Sequence, residues 1–176
     1  MPWPRVSLRT TLFWVLAGAM VVVLAVVGLA GKGGNNGRLA PALPSERLSG
    51  KSVTLAALKG HPVLVTFWAS WCGPCEQEAP ALERFSRSLN GRGALVGVNW
   101  EDLSRSNAHK FVRQYGWTFP NLRDPDGTVG RQYGITTFLP TTFVLDKAGK
   151  LRMALHGAQT EQTLNDALAS VLRNSS

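Results

Sequence analysis

The reactive part of the sequence is Trp71-Cys72-Gly73-Pro74-Cys75, which holds the only two cysteines of the chain. Two thiols three residues apart can close a disulfide, reopen it, and exchange its two electrons with another cysteine pair. The apolar run before them reads as a buried strand and the stretch after them as a helix, so Cys72 falls at a helix N-terminus. Unpaired backbone N–H groups and the positive end of the helix point there. They stabilise a thiolate, the nucleophilic form of cysteine. Pro74 suits the first helical turn, where its missing N–H costs nothing, and Gly73 completes the turn between the thiols. In this scheme Cys72 attacks a substrate disulfide, and the more buried Cys75 resolves the mixed disulfide.

Other uses of the pair fit less well. A structural disulfide across so short a loop restricts the unfolded chain little. A tetrahedral zinc site needs two further ligands, and His61, His109 and His156 are scattered without ligand spacing. The expectation is no metal, and no cofactor beyond the redox-active Cys72–Cys75 disulfide itself.

The elements that must position the pair follow from periodicity. Val63–Trp68 and Leu95–Trp100 are short apolar runs suited to buried strands. Glu76–Leu89 carries Ala79, Leu82, Phe85 and Leu89 at helical spacing. Ser106–Tyr115 reads as a helix capped by Ser106, and Thr160–Leu172 as a closing helix. Thr141–Asp146 and Leu151–His156 form a hairpin through Lys147-Ala148-Gly149-Lys150, and Ser52–Leu55 reads as a short strand after a turn at Gly50-Lys51. The expected order is β-α-β-α-β-β-α, an α/β fold in which helices cover a central mixed sheet.

The N-terminal quarter differs in kind. No charged residue lies between Arg9 and Lys32, and residues 12–31 are almost wholly apolar, long enough for a hydrocarbon core of about 30 Å. Their length favours a membrane anchor; a cleaved signal peptide, cut near Gly28-Leu29-Ala30, is the other reading. The expected layout is a short segment at 1–11, the anchor at 12–31, a Gly/Asn/Pro-rich flexible linker at 32–44 and a folded domain at 45–176. The formal charge is +8, and residues 1–44 supply half of it with four Lys/Arg and no acid. The rest is diluted over the domain, with no basic run of the kind that binds nucleic acid.

Phe67-Trp68-Ala69-Ser70-Trp71-Cys72-Gly73-Pro74-Cys75 resembles the thioredoxin superfamily. The wider pattern is similar to its TlpA/ResA/DsbE branch of membrane-tethered bacterial proteins: Leu58-Lys59-Gly60-His61-Pro62-Val63-Leu64-Val65, Glu76-Gln77-Glu78-Ala79-Pro80, Val98-Asn99-Trp100-Glu101-Asp102 and Leu139-Pro140-Thr141-Thr142-Phe143. The resemblance implies a thioredoxin-like fold with an N-terminal transmembrane helix. It makes Pro140 a cis-proline opposite the cysteines, with Leu139 and Trp71 contacting substrate, and it has Pro80 kink the active-site helix. Where thioredoxin has a buried acid, this chain has Thr66. The branch implies an acid at the end of the next strand instead, Glu101 or Asp102, with Glu101 preferred as the proton acceptor. The approach to Pro140 is one residue longer than the branch's usual form, and Phe138 stands where a smaller residue is common.

The function expected from this resemblance is a protein thiol–disulfide oxidoreductase, anchored in the cytoplasmic membrane with its domain in the periplasm or otherwise outside the cytoplasm. It would reduce selected protein disulfides, such as the haem-attachment cysteines of apocytochromes c, with electrons from a membrane thiol donor. A general disulfide-forming oxidant and a copper-handling redox or chaperone protein are the alternatives.

Overall fold

The computed structural model describes residues 37–173. Its strands are β1 (Glu46–Ser49), β2 (Val63–Trp68), β3 (Ala94–Trp100), β4 (Asn121–Asp124), β5 (Thr141–Leu145) and β6 (Leu151–His156). Its helices are α1 (Gly73–Ser88), α2 (Arg105–Gln114), α3 (Thr128–Tyr133) and α4 (Glu161–Arg173). One mixed sheet runs β1-β4-β3-β2-β5-β6. β2, β3 and β4 are parallel, β5 is antiparallel to both its neighbours, and β1 is antiparallel to β4.

β2 is buried at every position, and its alternate residues feed two cores. Val63, Val65 and Phe67 pack with Val96, Val98, Tyr133 and Phe143 on one side. Leu64 and Trp68 pack with Leu82, Phe85, Leu95, Leu164 and Leu168 on the other, beneath α1, α2 and α4. Burying each large apolar side chain contributes about 1.5–3 kcal/mol. The apolar stripe expected on α1 is buried as read, with Ala79, Leu82, Phe85 and Leu89 all inside.

Several expectations change. Ser52–Leu55 is not a strand, because β1 already occupies the outer edge of β4; Val53 and Leu55 instead lean on the second core without a ladder. β1, β4 and the six-residue α3 add to the expected order. β4 is Asn-Leu-Arg-Asp, too polar to look buried, yet each polar side chain finds a partner: Asn121 accepts from Trp68, Arg123 pairs with Glu46, and Asp124 accepts from Val129 and Gly130. α2 is capped by Ser104 rather than Ser106, with the Ser104 hydroxyl accepting the Asn107 N–H at 3.2 Å. α1 begins at Gly73, three residues before the apolar periodicity, and runs unbroken through Pro80.

The folded unit also starts earlier than 45. Gly37 and Ala40 donate backbone hydrogen bonds to Leu151 and Gly149, Leu151 donates to Arg38, and the Tyr133 hydroxyl donates to Pro41. Part of the expected linker is thus laid against the β5–β6 hairpin. The apolar stretch at 12–31 lies outside the described residues. Among the described residues no helix is long and apolar enough to cross a membrane.

Candidate active site

β2 ends at Trp68, and Ala69–Trp71 turn the chain into α1. Cys72 is the N-cap, in extended conformation, and its Sγ accepts the Cys75 N–H at 3.2 Å. Its carbonyl also receives the N–H groups of Cys75 and Glu76. Cys72 and Cys75 are joined as a disulfide with Cα atoms 5.2 Å apart. Both are buried, Cys75 more deeply, at 1% exposure against 4%. Gly73 and Pro74 occupy the first helical turn on the exposed side.

The cysteine turn is held from behind. The Trp68 indole donates to Asn121 and stacks among Phe111 and Trp117, and the Trp117 indole in turn donates to the Ala79 carbonyl of α1 at 2.9 Å. Asp102, buried past the end of β3, accepts the Ser70 N–H at 2.7 Å, the Asn99 amide at 3.0 Å and the Ser104 N–H at 3.2 Å. Burial alone would raise its pKa; the hydrogen bonds from Asn99, Ser70 and Ser104 outweigh burial and hold it below the ordinary value. Asp102 therefore fastens the residues leading into Cys72 to the ends of β3 and α2.

Glu101 lies elsewhere. Its side chain is exposed and paired with Arg131 at 2.7 Å, so it lacks the desolvated surroundings a proton relay to Cys75 requires. Its backbone is left-handed, with φ 45°, and its carbonyl receives the exposed Trp71 indole N–H at 3.3 Å. Trp71, Leu103 and Glu101 border an open cleft of about 340 Å³ beside the cysteine turn.

The Leu139–Pro140 peptide is cis. Since Thr141 opposes Phe67 across the β2–β5 ladder, Pro140 sits at the sheet edge where β2 gives way to the cysteine turn. Leu139 is half-buried against the core that contains both cysteines, and Phe138 beside it is 72% exposed. The Phe138 carbonyl accepts from the Thr141 hydroxyl at 2.9 Å, and Gly157 donates to the Pro140 carbonyl at 2.9 Å.

One buried acid escaped the sequence reading. Glu78 lies on α1, one turn beyond Cys75, and is 1% exposed. Its Oε1 accepts the Gln159 N–H at 3.1 Å; its Oε2 has no protein partner. Burial raises its pKa to about 7, against a smaller lowering by the Gln159 bond. The signal was present: Cys75, Glu78, Leu82 and Phe85 recur at spacings of a single helix face, so an acid stood on the apolar stripe.

Residues 37–154 match the AhpC/TSA family, and the described fold contains that whole span. The chain belongs to this family. Among its relatives, "Thiol-disulfide oxidoreductase ResA" of Bacillus subtilis is 33% identical over 164 residues, covering 92% of this chain and 90% of that protein. Two solved structures share the family's architecture. A DsbF homologue from Corynebacterium diphtheriae aligns with a TM-score of 0.69 and 31% identity, over 76% of this chain and 87% of that one. A structure described as a thiol:disulfide interchange protein DsbE from Chlorobium tepidum aligns with a TM-score of 0.68 and 32% identity, over 78% and 97%. The fold is thioredoxin-like: a central mixed sheet flanked by helices, with the cysteine pair opening α1.

Proposed function

We propose that this protein is an extracytoplasmic thiol–disulfide oxidoreductase that reduces selected protein disulfides. The observation that carries the reading is the Cys72–Cys75 disulfide at the N-terminus of α1, beside the cis Leu139–Pro140 peptide. Similarity to ResA and DsbE proteins supports the same chemistry. After reduction of the pair, the helix N-terminus favours the thiolate on Cys72 as attacking nucleophile. An extended substrate lies against Leu139 and Trp71, and Cys75 completes the exchange. Glu78, rather than Glu101, takes the proton from Cys75. It is the acid on the Cys75 face of α1, and a pKa near 7 makes it a working base close to neutrality.

The apolar stretch at 12–31 supports anchoring in the membrane, with the domain in an oxidising compartment. The substrates we propose are cysteines of secreted proteins that must stay reduced, such as those of apocytochromes c that receive haem, and the donor is a membrane thiol carrier. Redox titration of the Cys72–Cys75 pair tests the direction of transfer. A potential near the thioredoxin value of about −270 mV fits a reductant, and one near about −120 mV would make the protein an oxidant.

A further inference from the structure

Four strand ends meet at the pole of the sheet opposite the cysteine turn. Val63 of β2 is level with Ala94 of β3 and Leu145 of β5, and Leu145 with Leu151 of β6. Backbone hydrogen bonds hold the loops at these ends together: Gly60 donates to Lys147, and Ala94 donates to Pro62. The pole presents the ammonium groups of Lys59, Lys147 and Lys150 and the guanidinium of Arg92, all exposed. Among the described residues none of the four forms an ion pair. The acid of the hairpin, Asp146, is buried and already engaged by Arg152 and by the Ala148 and Lys150 N–H groups. Glu46, Glu101, Asp102 and Asp124 stand at the far strand ends, level with Trp68 or beyond it. The cysteine end balances its charges, Glu46 with Arg105 and Arg123 and Glu101 with Arg131; the opposite pole carries its cations unbalanced.

The chain enters the fold at this same pole. Gly37 donates to Leu151 and Ala40 to Gly149, and Leu39 pairs with Lys150 in an isolated bridge. Leu39 is 69% exposed there, an apolar side chain among the cations. Residues 32–36 separate Gly37 from the apolar stretch at 12–31, and fully extended they span about 18 Å. A membrane holding that stretch therefore keeps the basic pole within about two Debye lengths of its surface at moderate salt.

We propose that Lys59, Arg92, Lys147 and Lys150, with Leu39 at their edge, form a docking surface for anionic phospholipid headgroups. Each cation close to an anionic bilayer strengthens binding about fivefold. An apolar side chain among them enters the headgroup boundary. This docking goes beyond the redox activity and rests on the anchoring proposed above only for the reach of residues 32–36. The tether supplies proximity, and the charged pole supplies orientation. β2 alone puts about 17 Å between this surface and the start of the cysteine turn. Cys72 then faces the aqueous compartment, where protein disulfides arrive. Screening by salt keeps the contact reversible.

Lysine acylation by a water-soluble reagent, read by mass spectrometry, tests the docking on the full-length oxidised protein. The protein is added to phosphatidylcholine vesicles or to phosphatidylglycerol vesicles. Lys59, Lys147 and Lys150 should react about fivefold more slowly on phosphatidylglycerol, and high salt should restore their rates. Lys110, exposed near Glu76 at the cysteine end, should react equally on both lipids. Lys147→Glu combined with Lys150→Glu should abolish the protection of Lys59 and leave the melting temperature unchanged. Equal rates on the two lipids for the three lysines, or equal slowing of Lys110, overturns the docking surface. Flotation of the same samples separates that failure from failure of the anchor. Protein that floats with phosphatidylcholine in high salt but shows no lysine protection keeps the anchor and loses the docking surface. Protein that high salt releases from both lipids, yet is protected on phosphatidylglycerol at low salt, keeps the docking surface and loses the anchor.

Discussion

Replacing Glu78 with Gln should flatten the pH dependence of stability of the oxidised protein. The Glu78 pKa rises from its ordinary 4.5 to about 7 on folding, so the folded state favours the protonated form. Stability from this group is full below the unfolded value and is lost as pH rises through the folded one. Integrating between pH 5 and pH 8, at about 1.36 kcal/mol per pKa unit, gives a loss of about 2.5 kcal/mol for the native protein. Gln keeps an acceptor for the Gln159 N–H and cannot ionise. Whatever constant cost its buried amide brings cancels when the two pH values are compared. Urea unfolding of both proteins at pH 5 and pH 8, with the disulfide intact, reads the difference directly. Equal losses in the two proteins would mean that Glu78 is not desolvated as its burial requires, and the proton-acceptor argument would fall with it.

Asp102→Ala should destabilise the domain by about 1–3 kcal/mol in urea unfolding, because the Ser70 and Ser104 N–H groups and the Asn99 amide lose their shared acceptor. Its lowered pKa makes its contribution present above the ordinary carboxylate range and lost as pH falls through the folded value. Arg131→Ala breaks an exposed ion pair and should cost no more than about 1 kcal/mol, and both it and Glu101→Gln should leave the resolving step unchanged in stopped-flow. A chain cut at residue 37 should melt higher than one cut at residue 45, which loses the Ala40–Gly149 and Tyr133–Pro41 hydrogen bonds; equal melting temperatures would show that 37–44 adds nothing to the fold.

The parts of the molecule legible in the sequence are those where one side chain pattern has one structural meaning. Val63–Trp68 is apolar except for Thr66 and reads as a buried strand, and Cys-Gly-Pro-Cys after it reads as the opening of a helix. β4 was hidden because its burial depends on partners distant in sequence, such as Glu46 for Arg123. Ser52–Leu55 alternates like a strand, but whether a strand forms depends on a free sheet edge, and β1 had taken it. The cis peptide at Pro140 came from resemblance alone, since nothing local in Leu-Pro-Thr-Thr specifies it. Glu101 was favoured because a strand end points toward the site. At that end the chain turns left-handed, sending the Glu101 side chain to Arg131 and putting the next acid, Asp102, inside. Glu78 could have been found by treating an acid on the apolar stripe of α1 as an exception that needs a reason.

The central claim is that Cys72 exchanges disulfides with other proteins and Cys75 releases them. Expressing the full-length Cys75→Ser protein in its host and analysing it without reductant tests this most directly. The account predicts covalent complexes that dissolve on reduction, that are linked through Cys72, and that contain cysteine-bearing proteins from outside the cytoplasm. Absence of such complexes, or their persistence when Cys72 is also replaced, would contradict it.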